Sequence, residues 1–282
     1  MSLMTPARYA DKYLHLPVTF PDGPVTVSVS RYVLRNPSAE QGLFWAALKD
    51  YLLKNKSVRV RVDDADAEFS TPHQILHRAV NPFYGKGSPE DCQIVLQLAV
   101  LLRRVRSKSD LQSYCDANLG LDCNGFVGNY LFRIVQGNGW RADPSDGDVG
   151  PSATISQIMS KAGGFVIHTV DQMVPSRMYV LAEVDGSDRI VPGGLNAVPG
   201  HIVITEPGRY MQSFVTMDLT AADKRVLGAP AYWGSESTGG IGLIQSWCAV
   251  TPLVRGTKTV DGVFRVYRTS KRSFLNFRII GL

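Results

Sequence analysis

The chain has 282 residues, 44% apolar and 20% charged, enough to bury one large core or two smaller ones. Its 30 Lys and Arg exceed its 25 Asp and Glu, giving a formal net charge of +5. That balance favours an anionic partner without choosing among cell-wall polymer, membrane surface and nucleic acid. Its four cysteines, Cys92, Cys115, Cys123 and Cys248, contain no C-x-x-C pair, which argues against structural zinc and a disulfide scaffold. Isolated thiols suit a reducing compartment. No stretch approaches the roughly 20 apolar residues of a membrane span, and residues 1–13 lack the apolar core of a signal peptide. A cytoplasmic protein, or one exported without an N-terminal signal, is expected.

Residues 17–34 read as two short strands around the turn Pro21-Asp22-Gly23-Pro24. Ser38 caps a helix with Phe44, Leu48, Tyr51 and Leu52 on its apolar face. Val58-Arg59-Val60-Arg61-Val62 alternates as a half-exposed strand. His73 and His77 stand four apart, but Gln74 occupies the place where a zinc peptidase needs Glu, so packing or surface roles are expected. After the loop Asn81-Pro82-Phe83-Tyr84-Gly85-Lys86-Gly87, Ser88 and Pro89 open an apolar helix to about Arg104. It carries Cys92, a rival thiol at a helix start. The basic run Arg103-Arg104-Val105-Arg106-Ser107-Lys108 reads as a solvated helix end, and a phosphate-binding patch is the alternative. A boundary near Ser109 separates residues 1–108, an α+β region of unassigned role, from residues 109–282.

Leu121-Asp122-Cys123-Asn124-Gly125-Phe126-Val127-Gly128 reads as a loop turning into a helix. Asp122 is a good N-cap, and Phe126, Tyr130 and Ile134 fall at helical spacing behind it. Cys123 therefore sits in the first turn, on the inward stripe, where the helix dipole favours a thiolate. Gly125 and Gly128 admit close approach. A buried structural cysteine is the alternative. Asn118 and the Cys123 backbone N–H are candidate oxyanion donors.

Residues 137–140 end this helix, and residues 143–148 form an acidic turn without calcium-loop spacing. A short helix spans residues 155–161, and strands are expected at 165–168 and 178–184. In Pro199-Gly200-His201-Ile202-Val203-Ile204-Thr205 an imidazole opens a β-branched run, sharing one face with Val203 and Thr205. Glu206 falls on the other face. A two-residue hairpin at Pro207-Gly208 would set Gln212 opposite Val203 and diagonal to His201. Gln212 is then the geometric choice to orient the ring and Asp218 the electrostatic one. His168 is the rival base. Residues 234–242, rich in Gly and Ser, read as a surface loop. Residues 241–254 and 260–268 read as strands. The basic residues around Arg265 to Arg278, interleaved with aromatics, fit an exposed edge on a closing hairpin better than a nucleic-acid surface.

Asp122-Cys123-Asn124-Gly125-Phe126-Val127 resembles the D-C-x-G-F-V signature of the NlpC/P60-like cysteine peptidases of the papain-like superfamily. The resemblance covers about residues 122–218. It implies an α+β fold with the cysteine on a helix N-terminus, packed on an antiparallel sheet that carries the histidine, with the N-terminal α/β region added. It implies a bacterial peptidase or amidase cutting cell-wall (peptidoglycan) stem peptides, with Cys123 as nucleophile, His201 as base and Gln212 or Asp218 as the third residue. No cofactor and no metal are expected, and the partner is a peptide substrate. The alternatives are an inactive binding module of the same fold recognising an anionic polymer, and an acyltransferase using the same dyad.

Overall fold

The computed structural model describes residues 4–34, 39–62, 65–135, 153–193, 200–215 and 226–282. The expected cap at Ser38, the segments 137–140 and 143–148, Asp218 and the side chain of His77 lie outside the described residues. The fold is α+β, and the chain divides into two compact units. One comprises Arg8–Asn129 and Ser237–Leu243; the other comprises Met1–Ala7, Tyr130–Glu236 and Ile244–Leu282. The chain therefore does not divide at Ser109. Helix α5 (Lys108–Asn118) stays with the N-terminal elements because Gln112 brackets the backbone of Ser28. Its Oε1 accepts the Ser28 N–H at 2.9 Å and its Nε2 donates to the Ser28 carbonyl at 2.8 Å.

The helical unit is built round α4 (Pro89–Leu101), which is apolar on nearly every side and buried at every residue from Asp91 to Ala99. Ser88 starts it with a capping box. Ser88 Oγ accepts the Asp91 N–H at 3.1 Å, and Asp91 Oδ2 accepts the Ser88 N–H at 3.2 Å. Cys92 is fully buried within this helix, as a core thiol. Two antiparallel ribbons pack on α4: β1 (Leu16–Phe20) with β2 (Gly23–Val27), and β3 (Val58–Val62) with β4 (Ala65–Phe69). Helices α1 (Pro6–Leu14), α2 (Ala39–Asn55) and α3 (Pro72–Val80) surround them, and α6 (Cys123–Tyr130) runs on into a π-helical turn, Leu131–Val135.

The other unit holds a six-stranded antiparallel barrel. Its strands are β6 (Tyr179–Glu183), β7 (Ile202–Phe214), β8 (Ala229–Thr238), β9 (Gly242–Arg255), β10 (Lys258–Arg268) and β11 (Ser273–Gly281). They run in the order β10-β9-β8-β7-β6-β11, and the β10–β11 hairpin closes the ring, so these strands leave no free sheet edge. The short β5 (Phe165–Val166) pairs with β11, and α7 (Ile155–Lys161) starts on a Thr154–Gln157 capping box. Tyr179, Leu181, Val203, Tyr232, Phe264 and Phe277 belong to one buried cluster. The aromatic residues among the C-terminal basic ones are thus partly core. Arg265 stacks on Phe274 at 4.1 Å.

Two elements differ from what the sequence predicts. The Pro207-Gly208 hairpin does not form. β7 continues through it, and the surplus residues between Thr205 and Tyr210 are absorbed as an irregularity, with Gly208 at φ +79°. The Gly- and Ser-rich segment expected as a surface loop is largely strand, since β8 runs to Thr238 with Gly234 to Thr238 buried. Gly234 is small because it lies against its neighbours. A Cβ there would stand 2.9 Å from Val203 Cγ1 and 3.2 Å from Cys248 Sγ. Among the described residues, no helix is long and apolar enough to cross a membrane.

Candidate active site

Cys123 is the first residue of α6, as its sequence context predicts. Asp122 caps the helix, its Oδ1 accepting the Gly125 N–H at 2.6 Å. The loop Gly85-Lys86-Gly87 clamps this turn from outside the motif. Asp122 N–H donates to the Gly85 carbonyl at 3.0 Å, and Asn129 Nδ2 donates to the Lys86 carbonyl at 2.9 Å. Gly125 must be glycine for this approach, since a Cβ would lie 2.0 Å from Gly85 O. Lys86 Nζ pairs with Asp122 Oδ2 at 2.6 Å, with the two side chains only 3% and 6% exposed. The pair matters for the thiol. An uncompensated carboxylate one residue before Cys123 would oppose a thiolate, and the buried ammonium offsets it.

Cys123 Sγ lies 3.4 Å from Asn124 Oδ1 and is 4% exposed. Tyr32 approaches the same turn through a parallel bridge to Leu121. Burial, then the negative charges of Cys123 and Asp122, push the Tyr32 hydroxyl up from its ordinary value, so it remains a protonated donor at neutral pH. Nothing in the local sequence pattern singled out Tyr32 or Lys86. Asn118, the expected oxyanion donor, gives an amide proton to the Tyr114 carbonyl of its own helix at 2.9 Å.

His201 immediately precedes β7, where its Pro-Gly context puts it, and its carbonyl accepts the Glu183 N–H at 2.8 Å. Its Nε2 is held by Glu236 Oε2. β7 and β8 pair Ile204 with Ser235, so one step further along the register sets Glu236 opposite Val203 and diagonal to His201. The carboxylate is fixed in turn by Arg268 Nη1 at 2.7 Å and by the Ser270 hydroxyl. Burial opposes charge on Glu236, but the bond to His201, the His201 and Arg268 charges and the Ser270 bond outweigh it, holding the carboxyl down at about 2. Glu183 shows the opposite balance: burial pushes its carboxyl up against the pull of His201 and Arg268. With Nε2 donating to an ionised Glu236, the ring's Nδ1 is left as the basic nitrogen.

Glu236 therefore takes the place diagonal to His201 where Gln212 was expected. Gln212 is exposed near the far end of β7, and Asp218 lies outside the described residues. Glu236 sits in the stretch that reads as a loop from its Gly and Ser content; strand alternation across that run is the signal for it. His168, the rival base, forms an exposed pair with Asp261 at 2.9 Å. Glu206 accepts the Ala7 N–H at 2.9 Å and so serves the start of α1, as its position on the other face of β7 allows. Cys115 and Cys248 are structural thiols. Burial, then Asp116, pushes Cys115 up to about 12, and burial, then Glu236, raises Cys248.

Compared with known protein families, with curated proteins and with solved structures, the chain matches none.

Proposed function

We propose that the chain is a thiol hydrolase with a papain-like core of the NlpC/P60 type, cleaving peptide or amide bonds. The observation that carries the proposal is the buried His201–Glu236–Arg268 arrangement at a strand start. A strand histidine needing only a backbone partner has no use for an ionised carboxylate fixed by a buried guanidinium, whereas a general base does. Cys123 supplies the nucleophile. In the proposed reaction His201 takes the Cys123 thiol proton, the thiolate attacks the carbonyl carbon, and the Cys123 N–H and the Tyr32 hydroxyl are the donors for the oxyanion. His201 delivers the proton to the leaving amine as the C–N bond breaks. Water, deprotonated by the same ring, then releases the acyl group and regenerates the thiol. The chemistry needs no cofactor. Cell-wall stem peptides are the proposed substrate, on the strength of the Asp122-to-Val127 motif.

The test is hydrolysis of a panel of stem peptides by the full chain. Activity lost in Cys123→Ala and in His201→Ala but kept in Cys92→Ala supports the proposal. Hydrolysis unchanged in Cys123→Ala refutes it. Transfer of the acyl group to an added amine in preference to water would identify an acyltransferase using the same groups.

A further inference from the structure

The helical unit contains a cavity of about 920 Å³ between β1, β3 and the C-terminal end of α4. Its floor is apolar, made by Phe20, Val60, Val100 and Leu101. Its polar wall is cationic: Arg59, Arg61, Arg103 and Arg106 line it, and no acidic residue does. Arg59 is paired with Glu68 at 2.9 Å, an exposed contact of small worth. Among the described residues, Arg103 and Arg106 have no ion-pair partner. Gln97 also lines the cavity. It is 9% exposed.

The shape of the lining narrows the ligand class. Arg59, Val60 and Arg61 are consecutive in mid-strand, yet all three line the cavity. Successive side chains of a strand point to opposite faces, so a cavity touching three in a row runs along the strand's edge. β3 pairs with β4 alone among the described strands, and β1 with β2 alone. The cavity thus follows the edge of a two-stranded ribbon, floored by α4.

We propose that this groove binds an acidic peptide segment in extended conformation, added as a strand along β3. Alternation on β3 sets Arg59 and Arg61 outward and Val60 inward. An added strand has the same period, so one set of its side chains meets the guanidinium groups while the other rests on Val60, Val100 and Leu101. The ligand is therefore a peptide alternating carboxylate and aliphatic residues. Arg103 and Arg106 supply further charge, and Gln97 accepts or donates to the peptide backbone.

The test uses the full chain and a fluorescein-labelled eight-residue peptide of alternating Glu and Val, read by polarisation. Saturable binding is expected, weakened about tenfold or more in Arg103→Glu/Arg106→Glu. A peptide of the same composition with its Glu and Val in separate blocks, and an N-methylated version of the alternating peptide, should bind no better than that variant. Hydrogen exchange at Arg59 to Arg61 should slow on addition of the alternating peptide. Equal binding of the N-methylated peptide, or displacement by inorganic pyrophosphate at the same concentration as by unlabelled peptide, would make the groove a simple anion site and overturn strand addition. Absence of binding at low salt overturns the proposal outright.

Discussion

Replacing Glu236 with Gln tests the electrostatics of the histidine site, and its size follows from the structure. The Glu236 carboxyl is held at about 2, against an unfolded value near 4.5. A folded value below the unfolded one means the contribution is present above about pH 4.5 and lost as pH falls through 2. The difference corresponds to about 3 kcal/mol. At pH 7 the variant also leaves the buried Arg268 without its counter-charge, the situation that costs about 3–5 kcal/mol when one partner of a buried pair is removed. The assay is urea unfolding of the parent and Glu236→Gln, followed by circular dichroism at pH 7, 5, 4 and 3. The parent should be the more stable by several kcal/mol at pH 7, and the gap should shrink steadily between pH 5 and 3. A gap that stays constant over that range, or one within about 0.5 kcal/mol at pH 7, would refute the view that an ionised Glu236 organises His201 and Arg268.

The buried Lys86–Asp122 pair predicts that Lys86→Met lowers stability by about 3–5 kcal/mol, and that Lys86→Met/Asp122→Asn recovers much of the loss, both read by chemical denaturation. Gly125→Ala drives a methyl group onto Gly85 O, 2.0 Å away; a loss of at least about 2 kcal/mol in thermal or urea unfolding is expected, with Gly42→Ala, where nothing lies within 4 Å, as the neutral control. Native iodoacetamide labelling followed by mass spectrometry should modify Cys123 before Cys115 and Cys248, whose thiols burial keeps protonated. Equal labelling of all three would contradict the assignment. Tyr32→Phe should lower kcat roughly 10²-fold with a smaller change in KM, measured on whichever stem peptide the parent cleaves.

The parts of the site legible in the sequence are those decided within one turn or one strand. Asp122 caps the helix that Cys123 begins because a cap needs only a short polar side chain and free N–H groups two or three residues on. His201 opens a strand because Pro-Gly precedes it and β-branched residues follow. Gln212 is expected opposite Val203 and diagonal to the ring, and Glu236 takes that relation from a different strand. The supposed reversal at Pro207-Gly208 is an irregularity inside β7, so the neighbour comes from β8 instead. Whether Pro-Gly turns a chain or merely bends it depends on what pairs beyond it, and local sequence does not contain that.

Other features were decided by tertiary structure alone. The composition from Gly234 to Ser237 reads as a loop, because small and polar residues usually mark solvent. Here small residues are required by close approach of Val203 and Cys248 to Gly234, and Glu236 is tolerated by a histidine, a guanidinium and a hydroxyl arriving from other elements. Lys86 neutralises Asp122 from 36 residues away, and Tyr32 reaches the Cys123 turn through a bridge to Leu121. The β10–β11 hairpin is local, yet its closure of the ring depends on β11 also pairing with β6. Caps, turns and alternation are fixed by neighbours in the chain, so the sequence shows them. Buried charges and close-packed glycines are stabilised only by groups distant in the chain, so the folded arrangement decides them.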